Sequence, residues 1–132
     1  IVGRTESSAS DIWIYKTDSQ GNEEWEKTFG GDLFDIGYVI KQTFDGGYII
    51  IGHTESYGNG SSDAWLLKLS SLGIQEWNRT FGGSYYDKGY SGQQTLDGGY
   101  VIIGSTNSFG NGGEDLWIIK TDSKGNTVSI DD

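Results

Sequence analysis

Few residues of this 132-residue chain have the types and spacing to do chemistry. His53 is the single histidine, and there is no cysteine, which excludes a thiolate nucleophile, a thiolate metal ligand and a disulfide framework. A Ser-His-Asp arrangement is recognised by geometry rather than order. Nothing in the spacing around His53 points to one, and the equivalent position further along holds Ser105. Two carboxylates flanking a sugar could hydrolyse a glycosidic bond. With nineteen Asp and Glu residues, pairs arise by chance, so spacing selects none.

The metal and phosphate readings are equally thin. "DSQGNEE" (residues 18–24) has the oxygen-rich look of a calcium loop, but the corresponding "SSLGIQE" (residues 70–76) loses the first carboxylate. A tight turn is the preferred reading of both. Asp35 and Asp87 recur in "GGDLFD" and "GGSYYD", where one carboxylate per copy suits a turn or strand cap better than a cation shared near an axis. No cofactor is therefore expected, calcium being the minor alternative. "GNGSSD" and "GNGGED" are glycine-rich but lack the Lys and following helix of a phosphate loop.

Aromatic residues carry the more serious binding signal. Tyr57, Phe109, Tyr85 and Tyr86 fall in expected loops rather than in strands. An exposed ring can stack on a sugar while nearby Asp or Asn accept its hydroxyls. These four are the candidate ligand contacts, against the plainer reading that they cover strand edges.

The elements that must position them follow from a repeat. Asp11, Asp63 and Asp115 each open a D-x-W run and stand 52 residues apart, as do Trp13, Trp65 and Trp117. Trp25 pairs with Trp77, Phe29 with Phe81, Tyr38 with Tyr90 and Tyr48 with Tyr100 at the same interval. A period near 50 lies in the range of β-propeller blades. Each unit divides into four expected strands: A (Gly37–Thr43), B (Tyr48–Thr54), C (Asp63–Ser70) and D (Gln75–Phe81). The "DGG" at Asp45 and Asp97 suits the tight turn between A and B. Strand B is apolar almost throughout, as for a strand buried on both faces.

Such a unit has two apolar faces and can bury them only between neighbours. Packing sheets face to face around an axis is the propeller solution. The expected fold is all-β, with four-stranded antiparallel blades, residues 1–132 forming just under three blades of one propeller domain. The five tryptophans are expected in the core between blades. The chain opens with "IVG", matching the middle of a B strand, and closes with "NTVSIDD", where a D strand lacks its Trp. A fragment of a longer chain, or a protomer that completes a ring by association, is expected from the need for stacked neighbours.

The formal net charge of −10 argues against a nucleic-acid partner and reads as a well-hydrated surface. No apolar run approaches the length of a membrane span.

The stretch "YIIIGHTESYGNGSSDAWLLKLSSLGIQEW" resembles a kelch blade, with one Gly before His53 or Ser105 where kelch blades have two. The repeat "W-x-K-T-F-G-G…D-x-G-Y…Q-T-x-D-G-G-Y-I-I-x-G" is similar to blades of secreted and cell-surface β-propeller proteins of archaea and bacteria, over essentially the whole chain. That resemblance implies an extracellular or cell-surface setting and carries over no catalytic residue. The expected function is a non-catalytic propeller module for adhesion, binding or assembly. Its partners would be the rest of its own propeller or other protein chains. A lectin-like carbohydrate binder is the alternative, and a glycan-active enzyme with its site at the axis a further one. Exposed aromatics repeated in each unit favour the lectin; a polar cluster unique to one unit favours the enzyme.

Overall fold

The computed structural model describes residues 1–5 and 9–128, all in strands, turns and loops. Ten strands follow in order: β1 (Val2–Arg4), β2 (Ile12–Thr17), β3 (Glu23–Phe29), β4 (Asp35–Gln42), β5 (Tyr48–Thr54), β6 (Asp63–Leu69), β7 (Gln75–Phe81), β8 (Asp87–Gln94), β9 (Tyr100–Thr106) and β10 (Asp115–Thr121). They form three antiparallel sheets: β1-β2-β3, β4-β5-β6-β7 and β8-β9-β10. The expected B and D strands coincide with β5 and β7. The expected A strand begins two residues earlier, at Asp35, because Asp35 and Ile36 pair with Thr54 and His53 of β5; the Asp35 N–H also reaches back to the carbonyl of Ser10 (2.6 Å) ahead of β2. Asp87 does the same to Ser62 (2.8 Å). These bonds tie the start of each sheet to the sheet before it. Two expectations fall partly outside the described residues: the shortened loop through residues 6–8, and the closing segment through residues 129–132.

Turn chemistry explains the repeated "DGG". In the β4–β5 turn the N–H of Thr43 bonds the carbonyl of Gly47 (3.0 Å), and positive φ falls on Gly46 (82°), as it does on Gly98 (84°). The Asp45 carboxylate accepts the Gly47 N–H (2.9 Å) and the Thr43 hydroxyl. Gly47 is needed for room: a Cβ there would collide with the Leu69 carbonyl oxygen and lie 2.7 Å from Lys68 Nζ. Lys68 crosses this gap to Asp45 (2.9 Å) and Glu76 (2.8 Å), and Lys120 makes the same crossing to Asp97 (2.8 Å). The first glycine thus supplies the positive φ of the turn, and the second lets the Leu69 backbone and the Lys68 ammonium come close.

The core lies between the sheets, in two layers. Val2, Ile12, Ile14, Trp25 and Phe29 of the first sheet pack on Ile50, Trp65, Leu67 and Leu69 of the second. The opposite face of the second sheet, with Ile49, Ile51, Ala64 and Leu66, packs on Tyr100, Ile102 and Ile119 of the third. Strands β5 and β6 are therefore buried on both faces, while β9 and β10 are buried on one. Only Trp65 among the five tryptophans is fully buried. Trp25 and Trp77 stand on outer strands and Trp13 on a face that meets no other sheet among the described residues, so each keeps part of its ring in water. Trp65, Trp25, Trp77 and Trp117 pack in the layers between sheets as expected, the last three only partly covered, and the expectation is corrected for Trp13, which belongs to neither layer.

Candidate functional site

The loops joining β3 to β4 and β5 to β6 lie at one end of the sheets, with the β7–β8 and β9–β10 loops beside them. The Glu55 N–H bonds the Phe34 carbonyl (2.8 Å), and the Asn107 N–H bonds that of Tyr86 (2.9 Å). The Leu33 N–H bonds Ser56 Oγ (3.0 Å), and the Tyr85 N–H bonds Ser108 Oγ (3.1 Å). Each serine hydroxyl in turn donates to the aspartate beneath, Ser56 to Asp35 and Ser108 to Asp87, both at 2.6 Å. Serine and aspartate thus clamp two loops together in each unit.

Those aspartates are fully buried. Burial alone would raise the Asp87 pKa, but the hydroxyls of Ser108 and Thr106 and the Gly83 N–H (2.8 Å) outweigh it and hold the carboxyl below its ordinary value. Asp63 lies close by: a Cβ on Gly82 would meet carboxylate oxygens of both Asp63 and Asp87. Burial, and the neighbouring Asp87 charge, push Asp63 upward against the opposing bond from the Asn59 N–H (2.6 Å). Asp11 and Asp35 meet in the same way at Gly30. Carboxylates with divided pKa values can serve as acid and base. Here both carboxylates are buried and accept hydrogen bonds from loop N–H and hydroxyl groups, which anchors the loops.

The four sequence-derived contact residues all face solvent, between 46% and 61% exposed. They differ in support. Tyr57 packs at a tilt against Trp65 (ring centroids 5.6 Å apart), with its hydroxyl donating to the Gly30 carbonyl (2.7 Å). Phe109 packs in the same tilted way against Trp117, at 5.5 Å. Both rings are pinned on one side and open on the other. Tyr85 and Tyr86 project from the β7–β8 loop, and Tyr86 bridges to Ser62. Sequence reasoning missed Leu33 and Phe34, which are also exposed and occupy the positions of Tyr85 and Tyr86 one repeat earlier. The 52-residue alignment contained that signal.

Beside Tyr57 a groove of about 370 Å³ opens between the first two sheets, lined by Thr28, Phe29, Gly30, Tyr57, Trp65, Gln75 and Asn78. One wall is aromatic. Around it stand amide and hydroxyl groups, with Asn78 Oδ1 accepting from Trp65 Nε1 at 3.3 Å. An apolar wall with a few oriented polar groups is the usual composition of a small-ligand site.

The other candidates resolve into structure. Asp18 accepts the N–H groups of Gln20 and Asn22 and the Asn22 side-chain amide, which closes the β2–β3 turn; Asp122 repeats this. Ser70 Oγ accepts from Leu72 and Ile74 in the same place, so a hydroxyl replaces the carboxylate. His53 is buried with its ring 5.6 Å from that of Tyr38. Burial first, and then the charge of Lys88, pull its pKa down to about 4, so the imidazole is neutral at pH 7. Among the described residues no three His, Asp or Glu converge as metal ligands. No protein-family model and no curated protein matches this chain.

Proposed function

We propose that the chain is a non-catalytic binding module whose three sheets are blades of a β-propeller, exposed to an extracellular or cell-surface setting. The observation that carries this reading is the pairing of exposed aromatics across the repeat: Phe34 with Tyr86 and Tyr57 with Phe109, all at the loop end. Repetition of contact residues suits a module that meets its ligand once per blade. The carboxylates that could have done acid–base work are spent on holding those loops. The propeller reading is supported by the face-to-face order of the sheets and by inter-sheet contacts that recur at the repeat interval.

A carbohydrate ligand is the more specific second reading, favoured by those same repeated aromatics and by the groove beside Tyr57. Its aromatic wall matches the apolar face of a pyranose ring, and Thr28, Gln75 and Asn78 offer hydrogen bonds to hydroxyls. Affinity electrophoresis against a panel of soluble polysaccharides tests both readings. The chain is expected to be retarded by at least one neutral glycan without releasing reducing ends. Tyr57→Ala together with Gln75→Ala is expected to abolish the retardation. Accumulating reducing ends would overturn the non-catalytic reading. Retardation unchanged in that variant and in Phe34→Ala/Tyr86→Ala would show that the loop end is not the contact surface.

A further inference from the structure

The middle sheet uses two different faces. One, bearing Ile50, Trp65 and Leu67, receives the first sheet; the other, bearing Ile49, Ile51, Ala64 and Leu66, is laid on the third. The contact is heterologous, and it is made twice. In the first contact Val2 and Ile12 press on Gly37, where a Cβ would lie 3.0 Å from Val2 Cγ2. In the second Ile51 presses on Gly89, again with 3.0 Å to its Cγ2. Trp25 meets Tyr48 edge-on at 5.8 Å in the first, and Trp77 meets Tyr100 at 5.7 Å in the second. One packing rule therefore joins each sheet to the next.

The two outer faces are the unused halves of that rule. Val101, Ile103, Leu116 and Ile118 on the third sheet hold the positions of Ile49, Ile51, Ala64 and Leu66. Their counterparts in the middle sheet are all 0–1% exposed, whereas Leu116 is 77% and Ile118 62% exposed. On the first sheet Trp13 and Tyr15 hold the positions of Trp65 and Leu67, on the face turned away from Ile12 and Ile14. Their rings, 5.5 Å apart, form a partly exposed aromatic plate.

We propose that the free face of the third sheet docks a second copy of this chain through the free face of its first sheet, head to tail. The argument is continuity: the same residue positions already form this contact twice inside the molecule. A patch of several large aliphatic side chains at this exposure is the usual mark of an interaction surface. Heterologous contacts close into rings when their rotation allows and otherwise run into open chains. Two copies would bring six sheets together, within the four to eight blades that close a propeller. A closed dimer is the expected form. This inference rests on sheet packing and stands apart from the ligand reading.

Sedimentation equilibrium of the 132-residue chain at micromolar concentration is the test, with circular dichroism to verify that each variant keeps its strands. The chain is expected to sediment at twice its own mass. Leu116→Asp/Ile118→Asp and, separately, Trp13→Asp/Tyr15→Asp should each sediment as monomers, since all four side chains lie on the outer faces. Mixing the two variants should restore a dimer, because each supplies the face the other has lost. A wild-type monomer at every concentration would overturn the proposal. So would two variants that keep the wild-type mass, or a mixture that stays monomeric. A Trp13→Asp/Tyr15→Asp variant that still dimerises by itself would point to third sheet meeting third sheet and would equally overturn it.

Discussion

The ring of Trp77 meets the ring of Tyr100 edge-on at 5.7 Å, from the outer strand of one sheet to the central strand of the next. Tyr100 is buried, while Trp77 keeps one side in water, with the Arg79 guanidinium 5.6 Å from the ring centroid. The contact therefore reports directly on whether neighbouring sheets stack. Tyr100→Ala is expected to lower the free energy of unfolding by about 3–5 kcal/mol, the usual cost of deleting a buried aromatic. A double-mutant cycle with Trp77→Ala should give a coupling of about 1 kcal/mol, as for other aromatic pairs. Urea denaturation measures both; a Tyr100→Ala cost under about 1 kcal/mol would place that ring outside the core.

Asp87 is expected to be worth more to the loops than to any ligand. It is buried and accepts hydrogen bonds from Ser108, Thr106 and Gly83. Asp87→Ala leaves those donors without an acceptor and should cost about 3 kcal/mol in unfolding free energy. Amide hydrogen exchange should accelerate first at Gly83 and Tyr85, whose N–H groups depend on the clamp. Exchange that speeds up uniformly across the chain would contradict a local anchoring role.

Lys68 shows how a buried charge is tolerated between sheets. Burial opposes its charge, but bonds to Glu76 and Asp45 prevail and its pKa is raised. Asp45 is lowered to about 2, chiefly by the Thr43 hydroxyl and then by Lys68. Removing both carboxylates, as Asp45→Asn/Glu76→Gln, is expected to cost about 2 kcal/mol. That is less than for a wholly buried pair, because both carboxylates remain wet. Lys68→Met, which removes the charge and keeps the stem, should stay within about 1 kcal/mol of the parent. Thermal or urea unfolding of the three chains checks the order; a Lys68→Met loss larger than that of the double variant would reverse the argument.

His53 predicts a pH dependence with a definite sign. Its folded pKa of about 4 lies below the ordinary 6.5, so between those values the unfolded chain binds more protons than the folded one. Stability should therefore fall as pH drops from about 6.5 towards 4, by at most about 3 kcal/mol from this residue. Substituting the residue found one repeat later, His53→Ser, should flatten the profile in that window. Loss that persists unchanged in His53→Ser would assign it to carboxylates instead.

The all-β class, the strand positions and the turns were legible in the chain because they rest on local chemistry. Alternating and continuous apolar runs mark strands, Asp-Gly-Gly marks a turn, and the 52-residue interval aligns one copy with the next. Within that frame the exposed aromatics at Tyr57, Tyr85, Tyr86 and Phe109 could be named, and Phe34 could have been added by the same alignment. What stacks on each sheet is decided over distances the local pattern does not encode. Trp13 and Trp65 are equivalent in sequence, yet Trp65 lies between two sheets and Trp13 on an open face. Ala64 and Leu66 are covered where Leu116 and Ile118 are bare. Asp63 and Asp87, 24 positions apart, become a buried pair with divided pKa values only when two loops close over them. Burial and pKa belong to the whole assembly of neighbours around a side chain, so identical residues in successive copies acquired different environments in the tertiary structure alone.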